Sequence, residues 1–210
     1  MDLKEEKLRY SKEKLKEAKA IAILDAAEEL ILEGGLNSLS INKVASKANI
    51  AKGTVYLYFE DKEQIIGTIA IRARKLLLEY FKKYTSDKDD PIEKIKGVFW
   101  ADFHFSQEQK RYHQLITFYE QNTGLNESGE LANMGKNISL YIKSIIDEAI
   151  EKKAIRQDLD SASLTFMMWG TSVGIMQLLQ TRKEQLNFAL NKTPKEFFQF
   201  FVSTMMDSLK

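Results

Sequence analysis

The stretch from residue 36 to residue 62 places the strongest constraint on how this chain folds. Its apolar residues recur at helical spacing on both sides of a short break, which predicts two short helices joined by a tight turn. Ser40 is suited to cap the first helix, and Asn49 is suited to the left-handed conformation of the turn. Ala45 is small where two such helices must approach closely. The pattern therefore predicts a helix-turn-helix.

The charged residues between Leu36 and Phe59 are all lysines, namely Lys43, Lys47 and Lys52. No acidic residue of this stretch offsets them. A paired-helix surface that carries only lysines suits the phosphate backbone of DNA. We therefore expect this surface to bind nucleic acid, although the net charge of the whole chain is only +1.

Three segments of this region resemble the N-terminal signature of TetR-family transcriptional regulators: SINKVA at 40–45, ANIAKGTVYLYF at 48–59 and DKE at 61–63. The block KGTVYLYFEDKE is specific, because it joins a recognition helix to the start of the next helix. One departure is Asn49, at a turn position where the family often has glycine. Asparagine tolerates the left-handed conformation, so the turn is still expected. The signature covers about the first third of the chain.

The resemblance implies a palindromic double-stranded DNA operator as the partner, with the second helix of the pair in the major groove. Lysines and hydroxyl groups suit phosphates, Asn42 suits adenine, and Gly53 lets the backbone approach the DNA. The alternative is that Tyr56 and Tyr58 are core aromatics and that the lysines only solubilise the protein. The residues expected to contact DNA are Ser40, Asn42, Lys43, Lys52, Gly53, Thr54, Tyr56, Tyr58 and Lys62.

The whole chain reads as all-α, with about nine helices and no convincing strand. We expect a DNA-binding head at 1–62 and a larger helical domain for ligand binding and dimerisation at 63–210. A helix capped by Asp61 is expected to continue to about residue 84 and to bridge the two domains. Residues 1–19 are dense in both charges, which indicates a solvated helical lead-in or a basic arm that follows DNA.

Two further helix starts carry strong local signals. Asp90 is expected to cap a helix that begins at Pro91, and Thr193 a last helix that begins at Pro194. Residues 123–129 are expected to form a loop.

Composition indicates an ordinary soluble globular protein, with 29% charged and 44% hydrophobic residues. Cysteine is absent, which excludes disulfides and thiolate metal sites. No apolar run reaches the length of a membrane span, and the charged N-terminus lacks the apolar region of a signal peptide. We therefore expect a cytoplasmic protein with no membrane partner.

Aromatic and methionine side chains in the C-terminal two thirds admit more than one interpretation. Most are expected to be core. Amphipathic aromatics and flexible methionines also line adaptable apolar pockets, and TetR-like regulators hold effectors within this domain. Without an arginine cluster, we expect a neutral or singly charged hydrophobic ligand. The residues expected to line the pocket are Trp100, Phe103, His104, Phe118, Tyr119, Tyr141, Met168 and Trp169.

The last two predicted helices carry more apolar surface than a single buried stripe needs. Two glycines on the first of these helices allow close approach of another helix, and family dimers use this pair. We expect a homodimer whose interface includes Gly170, Gly174, Phe197, Phe201 and Met205.

Enzymatic and metal chemistry have little support. His104 and His113 lie nine residues apart across a predicted helix break, which is poor spacing for a metal site. We find no Gly-rich phosphate loop or nucleophile constellation, and expect no cofactor. The sequence therefore predicts a ligand-responsive repressor that a small hydrophobic effector releases from DNA. The alternative is a dimeric helical ligand-binding or scaffold protein without DNA binding.

Overall fold

A computed structural model describes residues 3–121 and 129–210, and these residues contain ten α-helices and no strand. The predicted loop at 123–129 falls largely outside the described residues, as do the side chains of the first nine. The helices are α1 (Leu3–Gly34), α2 (Ile41–Lys47), α3 (Lys52–Tyr56), α4 (Lys62–Thr85), α5 (Pro91–Glu108), α6 (Lys110–Gln121), α7 (Gly129–Glu151), α8 (Ser161–Thr181), α9 (Lys183–Leu190) and α10 (Pro194–Ser208).

The predicted all-α class is confirmed, and the one helix that the sequence did not predict is α9. This short helix follows α8 almost directly and ends at Asn191, whose φ of 50° is left-handed. Neither a proline nor a glycine separates it from α8, so the sequence carries no strong signal for a new helix there. The two helices expected to form the subunit interface are therefore α8 and α10, with α9 between them.

The predicted helix ends of the N-terminal region form as expected. The Ser40 hydroxyl accepts a hydrogen bond from the Lys43 N–H at 3.3 Å, and Asn49 has a φ of 54°. Asp61 Oδ1 accepts from the Gln64 N–H at 2.7 Å. The Gln64 side chain accepts from the Glu60 N–H rather than from that of Asp61, so the capping box is shifted by one residue.

The caps predicted at two later helices are also present. Asp90 accepts from the Ile92 N–H at 2.9 Å, with Pro91 opening α5. Thr193 and Glu196 form a reciprocal capping box at the start of α10, at 3.2 Å and 2.7 Å. These short-range hydrogen bonds fix where each helix begins.

The chain divides into two compact units, Met1–Arg72 and Ala73–Lys210, and the division falls within α4. In the first unit, apolar side chains from α1 to α4 are fully buried, including Ile23, Val44, Val55 and Ile65. At the end of this unit the Arg72 guanidinium donates to Asp25 at 2.8 Å and to Glu28 at 2.7 Å, which ties α4 to α1.

The second unit has an aromatic core between α5 and α10. Phe198 is fully buried and stacks on Phe103, with ring centroids 4.7 Å apart. At Gly97, helix α5 passes close to the C-terminal end of α4. A Cβ at this position would lie 2.3 Å from the Tyr84 carbonyl oxygen. Only glycine permits this approach of the two backbones.

Helix α8 is long and apolar enough to cross a membrane by length and composition. The expectation that no apolar run reaches this length is therefore wrong for this helix. By itself this length and composition are weak evidence for a membrane span, because a helix that packs in a soluble domain can have the same composition. Seven residues of α8 are buried within this chain, among them Met168 and Met176.

Candidate DNA interface and effector cavity

The helix-turn-helix is held together by small and β-branched side chains. Val44 and Val55 are fully buried and Ala45 is nearly so, so α2 and α3 approach closely around the Asn49 turn. Because these apolar residues face inward, the polar residues between them face solvent.

Exposed positions account for five of the nine residues expected to contact DNA, and the other four are half-buried. Tyr56 is 49% exposed, so the alternative that it is a core aromatic does not hold. An added Cβ at Gly53 would meet no atom of the chain within 4 Å, so packing within the chain does not require glycine there. The exposed five are Asn42, Lys43, Lys52, Gly53 and Tyr56, and the half-buried four are Ser40, Thr54, Tyr58 and Lys62.

The expectation that no acid offsets the lysines is wrong for Lys47. Its ammonium lies 3.0 Å from carboxylate oxygens of both Glu29 and Glu33 in α1. These two acids raise the pKa of Lys47 through hydrogen bonds, so its charge is already matched within the chain. Neither Lys43 nor Lys52 forms an ion pair among the residues that the structure describes.

One exposed apolar residue of this surface was missed by the sequence analysis. Leu57, directly after α3, is 77% exposed beside Tyr56. A large apolar side chain exposed on a DNA-facing surface can contact a thymine methyl group. The signal was present in the sequence as a leucine between two tyrosines, but the apolar spacing alone assigned it no role.

The second unit encloses a cavity of about 680 Å³ between helices α4 to α8. Apolar groups dominate the wall, with a few polar side chains among them. The lining residues are Arg74, Leu77 and Phe81 of α4, Val98, Phe99 and Asp102 of α5, His113, Ile116, Thr117, Tyr119 and Glu120 of α6, Ala132, Gly135, Lys136, Ile138, Ser139 and Ile142 of α7, and Thr165, Phe166, Met168, Trp169, Ser172 and Val173 of α8.

Of the eight residues expected to line a pocket, the cavity includes Tyr119, Met168 and Trp169. The other five lie elsewhere because of their helical phase. On α5 the cavity side is defined by Val98, Phe99 and Asp102, and the expected Trp100, Phe103 and His104 of that helix are not among the lining residues. The expectation was wrong for Trp100, Phe103, His104, Phe118 and Tyr141.

These five residues have other contacts. Trp100 and Phe103 pack against Phe198 of α10, with centroids 5.1 Å and 4.7 Å away. The remaining three pack or bond on other sides of their helices: the His104 ring stacks on Tyr84 at 5.2 Å, the Phe118 ring meets Tyr119 edge-on at 5.8 Å, and the Tyr141 hydroxyl lies 2.7 Å from the Thr85 hydroxyl.

The sequence analysis assigned no role to the charged residues of the cavity wall, because spacing within one helix does not show which of its sides faces a cavity. The buried Arg74 guanidinium donates to the Leu131 carbonyl at 2.7 Å. Glu120 accepts from the Trp169 indole N–H at 3.2 Å. Lys136 is exposed, so it lies at the rim.

A half-buried acid, Asp102, and a half-buried histidine, His113, both line the cavity wall. The Ser172 hydroxyl donates to Asp102, and the His113 Nδ1 lies 3.2 Å from the Gln180 amide nitrogen. Burial raises the pKa of Asp102, while His113 and the Ser172 hydrogen bond lower it in part. Burial lowers the pKa of His113, against the attraction of Asp102. The opposite charges of the two groups therefore counteract the effect of burial on both pKa values.

The residues expected at the subunit interface lie on two helices. Gly170 and Gly174 are exposed on α8, and a Cβ at either would meet no atom within 4 Å. Their neighbours Phe166 and Met167 are 62% and 59% exposed. On α10 the half-buried residues are Phe197, Phe201 and Met205, and Phe200 is 58% exposed.

Among the described residues, no group of three or more histidine, aspartate or glutamate side chains could hold a metal ion. His104 instead lies 3.4 Å from Glu108, and His113 faces the cavity.

A helix-turn-helix with an exposed polar surface, together with an apolar cavity in a separate helical unit, defines a ligand-responsive DNA-binding regulator. Comparison with known proteins agrees. Residues 23–69 match the family described as bacterial regulatory proteins, tetR family. The fatty acid metabolism regulator protein of Bacillus subtilis is 26% identical over 158 residues, which cover 75% of this chain and 81% of that relative.

Two solved structures share the fold over nearly the whole chain. The fatty acid degradation regulator FadR from Bacillus halodurans has a TM-score of 0.68 at 21% identity, covering 90% of this chain and 94% of that one. AibR, solved in complex with isovaleryl coenzyme A and operator DNA, has a TM-score of 0.64 at 17% identity, covering 89% and 97%.

Residues 23–69 therefore carry the DNA-binding domain of the TetR family of bacterial transcriptional regulators. Regulators of this family bind operator DNA as dimers and respond to small-molecule effectors. The alternative of a helical protein without DNA binding has no support from these comparisons.

Proposed function

We propose that this protein is a cytoplasmic repressor, not an enzyme, that leaves its operator when a small hydrophobic molecule occupies the cavity of the second unit. The observation that carries the proposal is the 680 Å³ cavity, largely apolar and walled by five helices. One of these helices, α4, begins in the DNA-binding unit. The cytoplasmic location follows from the need to reach chromosomal DNA.

For the DNA side, the proposal assigns phosphate contacts to the exposed lysines and base contacts to the α2–α3 surface. Lys43 and Lys52 are exposed and have no ion-pair partner among the described residues, which suits phosphate binding. The exposed Asn42 amide suits an adenine edge. The remaining proposed contacts are Ser40, Gly53, Thr54, Tyr56, Tyr58 and Lys62.

A fatty-acyl group is the first effector class to test. The Bacillus subtilis relative is named for fatty acid metabolism, and AibR was solved with isovaleryl coenzyme A. An acyl chain suits the apolar wall, and the exposed Lys136 at the rim suits a negatively charged head group. Arg74 adds a second positive charge to the same wall.

The proposed subunit interface is the outward face of α8 together with α10. Gly170 and Gly174 leave room for a second helix to approach, and large apolar side chains flank them. Met205 and Phe197 are half-buried on α10 and can be covered by the partner subunit. A two-fold interface of this kind would present two heads to a palindromic operator.

The proposed mechanism is a population shift between a DNA-competent and a DNA-incompetent arrangement of the dimer. An effector that binds the incompetent arrangement more tightly reduces DNA affinity, and DNA reduces effector affinity by the same factor. The two heads must stay about one helical turn of DNA apart, or a multiple of it. A small tilt of α4 is therefore enough to lose the register.

The experiment starts with selection of genomic fragments by the purified protein, followed by release assays with acyl-coenzyme A esters of increasing chain length. A ligand at one hundred times its dissociation constant should stabilise the fold by about 2.7 kcal/mol and release the DNA. Ile138→Trp, which fills the cavity, should abolish release while DNA binding persists. Leu140→Trp is the matched control, because Leu140 is 52% exposed on the same helix.

Failure to select any fragment, with the dimer intact, would contradict the proposal on the DNA side. Release that persists in Ile138→Trp would contradict the cavity as the effector site.

A further inference from the structure

A pair of half-buried polar groups, Asp102 and His113, interrupts the apolar wall of the cavity. Asp102 projects from α5 and accepts the Ser172 hydroxyl hydrogen from α8. Its side chain keeps some accessible surface because it faces the cavity. His113 projects from α6 into the same cavity and is bonded from behind by Gln180 at 3.2 Å.

The hydrogen-bond partner of His113 sets its tautomer. The Gln180 amide nitrogen can only donate, so the His113 Nδ1 accepts, and in a neutral ring the hydrogen lies on Nε2. Burial lowers the pKa of His113, which favours the neutral ring. The cavity therefore offers an acceptor at Asp102 and a donor at His113.

This pairing discriminates between the polar groups that an apolar ligand can carry. A bare hydrocarbon would exclude water from both groups without replacing its hydrogen bonds, which is costly for a buried acid. A carboxylate could accept from His113 but would be repelled by Asp102 in its ionised form, and an ammonium could donate to Asp102 but not accept from the imidazole N–H. A hydroxyl group can do both at once.

We propose that Asp102, His113 and Ser172 form a hydroxyl-binding subsite, and that the effector is an apolar molecule that carries an alcohol group, a hydroxylated acyl chain included. The inference rests on the proposed function only in taking this cavity as the effector site. Of the other charged groups of the wall, Glu120 already accepts from the Trp169 indole, Arg74 already donates to the Leu131 carbonyl, and Lys136 lies exposed at the rim.

The test uses four ligands with one apolar body: 1-decanol, decyl methyl ether, decylamine and decanoate. Trp169 lines the cavity and Trp100 does not, so Trp100→Phe leaves Trp169 as the only tryptophan and its fluorescence as the binding signal. We expect 1-decanol to bind at least about tenfold more tightly than the ether, because sites that bond a hydroxyl reject analogues without it. Decylamine and decanoate should bind more weakly than 1-decanol.

Substitutions assign the selectivity to the subsite. Asp102→Leu should reduce the alcohol-to-ether ratio to about one, and Ser172→Ala should reduce it in part by removing the hydrogen bond that orients Asp102. Thr171→Val is the matched control, because the Thr171 hydroxyl donates to the Met167 carbonyl of its own helix at 2.7 Å. It should keep the wild-type ratio. Circular dichroism checks folding, and Asp102→Ala replaces Asp102→Leu if that variant unfolds.

Equal binding of the alcohol and the ether, tightest binding of decanoate, or a ratio that survives in both Asp102 variants would overturn the subsite. So would a lack of binding by all four compounds. If 1-decanol binds with the expected selectivity but operator DNA is not released, the subsite stands and the proposed effector mechanism fails.

Discussion

The two units of this chain place their candidate functional groups in opposite locations. In the first unit the candidate DNA contacts are surface side chains such as Lys52 and Tyr56, held by a core of small apolar residues. In the second unit the candidate effector contacts line an interior cavity, and residues such as Asp102 are surrounded by protein. A surface site can change without much loss of stability, whereas an interior site shares its residues with the core.

The largest expected effect is the difference in stability loss between truncating a core residue and truncating a surface residue of the second unit. Phe198→Ala should lower the free energy of unfolding by about 3–5 kcal/mol, because the ring is fully buried against Phe103 and Trp100. Phe188→Ala is the control, since Phe188 is 95% exposed, and should change stability by no more than about 0.5 kcal/mol. Urea unfolding measures both, and similar losses would mean that Phe188 is buried in solution.

The next effect tests the outward face of α8. In Gly170→Leu the added Cβ would meet no atom of its own chain within 4 Å, and leucine is a better helix former than glycine. The protomer should therefore stay folded. If this face is the subunit interface, the dimer dissociation constant should rise at least about tenfold, or 1.4 kcal/mol. Sedimentation measures the change.

A wild-type dissociation constant for Gly170→Leu would place the interface elsewhere. Phe201→Glu is a less specific probe of that interface, because Phe201 packs on Phe99 of its own chain at 5.3 Å. The glutamate would also damage the protomer.

A smaller effect distinguishes two lysines of the head. Lys52→Ala should weaken binding to all DNA sequences and reduce the log–log salt dependence of affinity by about 0.9 if one phosphate contact is lost. Lys47→Ala should leave the slope nearly unchanged, because Glu29 and Glu33 already neutralise Lys47. DNA titrations at several salt concentrations measure the slope for each variant. An equal change of slope in both variants would contradict the claim that Lys47 is neutralised within the chain.

The smallest effect separates folding from DNA binding at Ser40. Ser40→Ala removes the cap of α2 and should lower stability by about 0.5–1 kcal/mol, since the hydrogen bond is long at 3.3 Å. Ser40→Asp keeps a capping oxygen but places a negative charge on the proposed DNA surface. Thermal unfolding should show near wild-type stability for Ser40→Asp, while DNA titration shows weaker binding. Wild-type DNA affinity for this variant would remove Ser40 from the interface.

The head could be predicted from sequence because its structure depends on short-range interactions. The Ser40 cap and the Asn49 turn each involve neighbours within a few residues, and such patterns are visible in the chain itself. The neutralisation of Lys47 could not be predicted in this way. Its partners, Glu33 and Glu29, lie 14 and 18 residues earlier in the chain, on a different helix, α1.

The cavity could be predicted in kind but not residue by residue. Candidates chosen by residue type included Trp100 and Tyr141, whose phase on their helices turns them away from the cavity. Which side of a helix faces a cavity depends on the packing of five helices, and spacing within one helix cannot supply it. Asp102 did carry a signal, as the single acid in the run VFWADFHF, and a lone charge in an apolar run indicates a buried functional group.

The close approach at Gly97 has a mechanical consequence for signalling. With the Tyr84 carbonyl directly against this position, there is no clearance between the end of α4 and the side of α5. Packed protein interiors transmit small displacements instead of absorbing them. Since α5 also carries Val98, Phe99 and Asp102 of the cavity wall, we expect a ligand that pushes α5 outward to displace the end of α4 as well. The close contact at this glycine would then convert the volume of a bound molecule into a movement of the helix that leads to the DNA-binding unit.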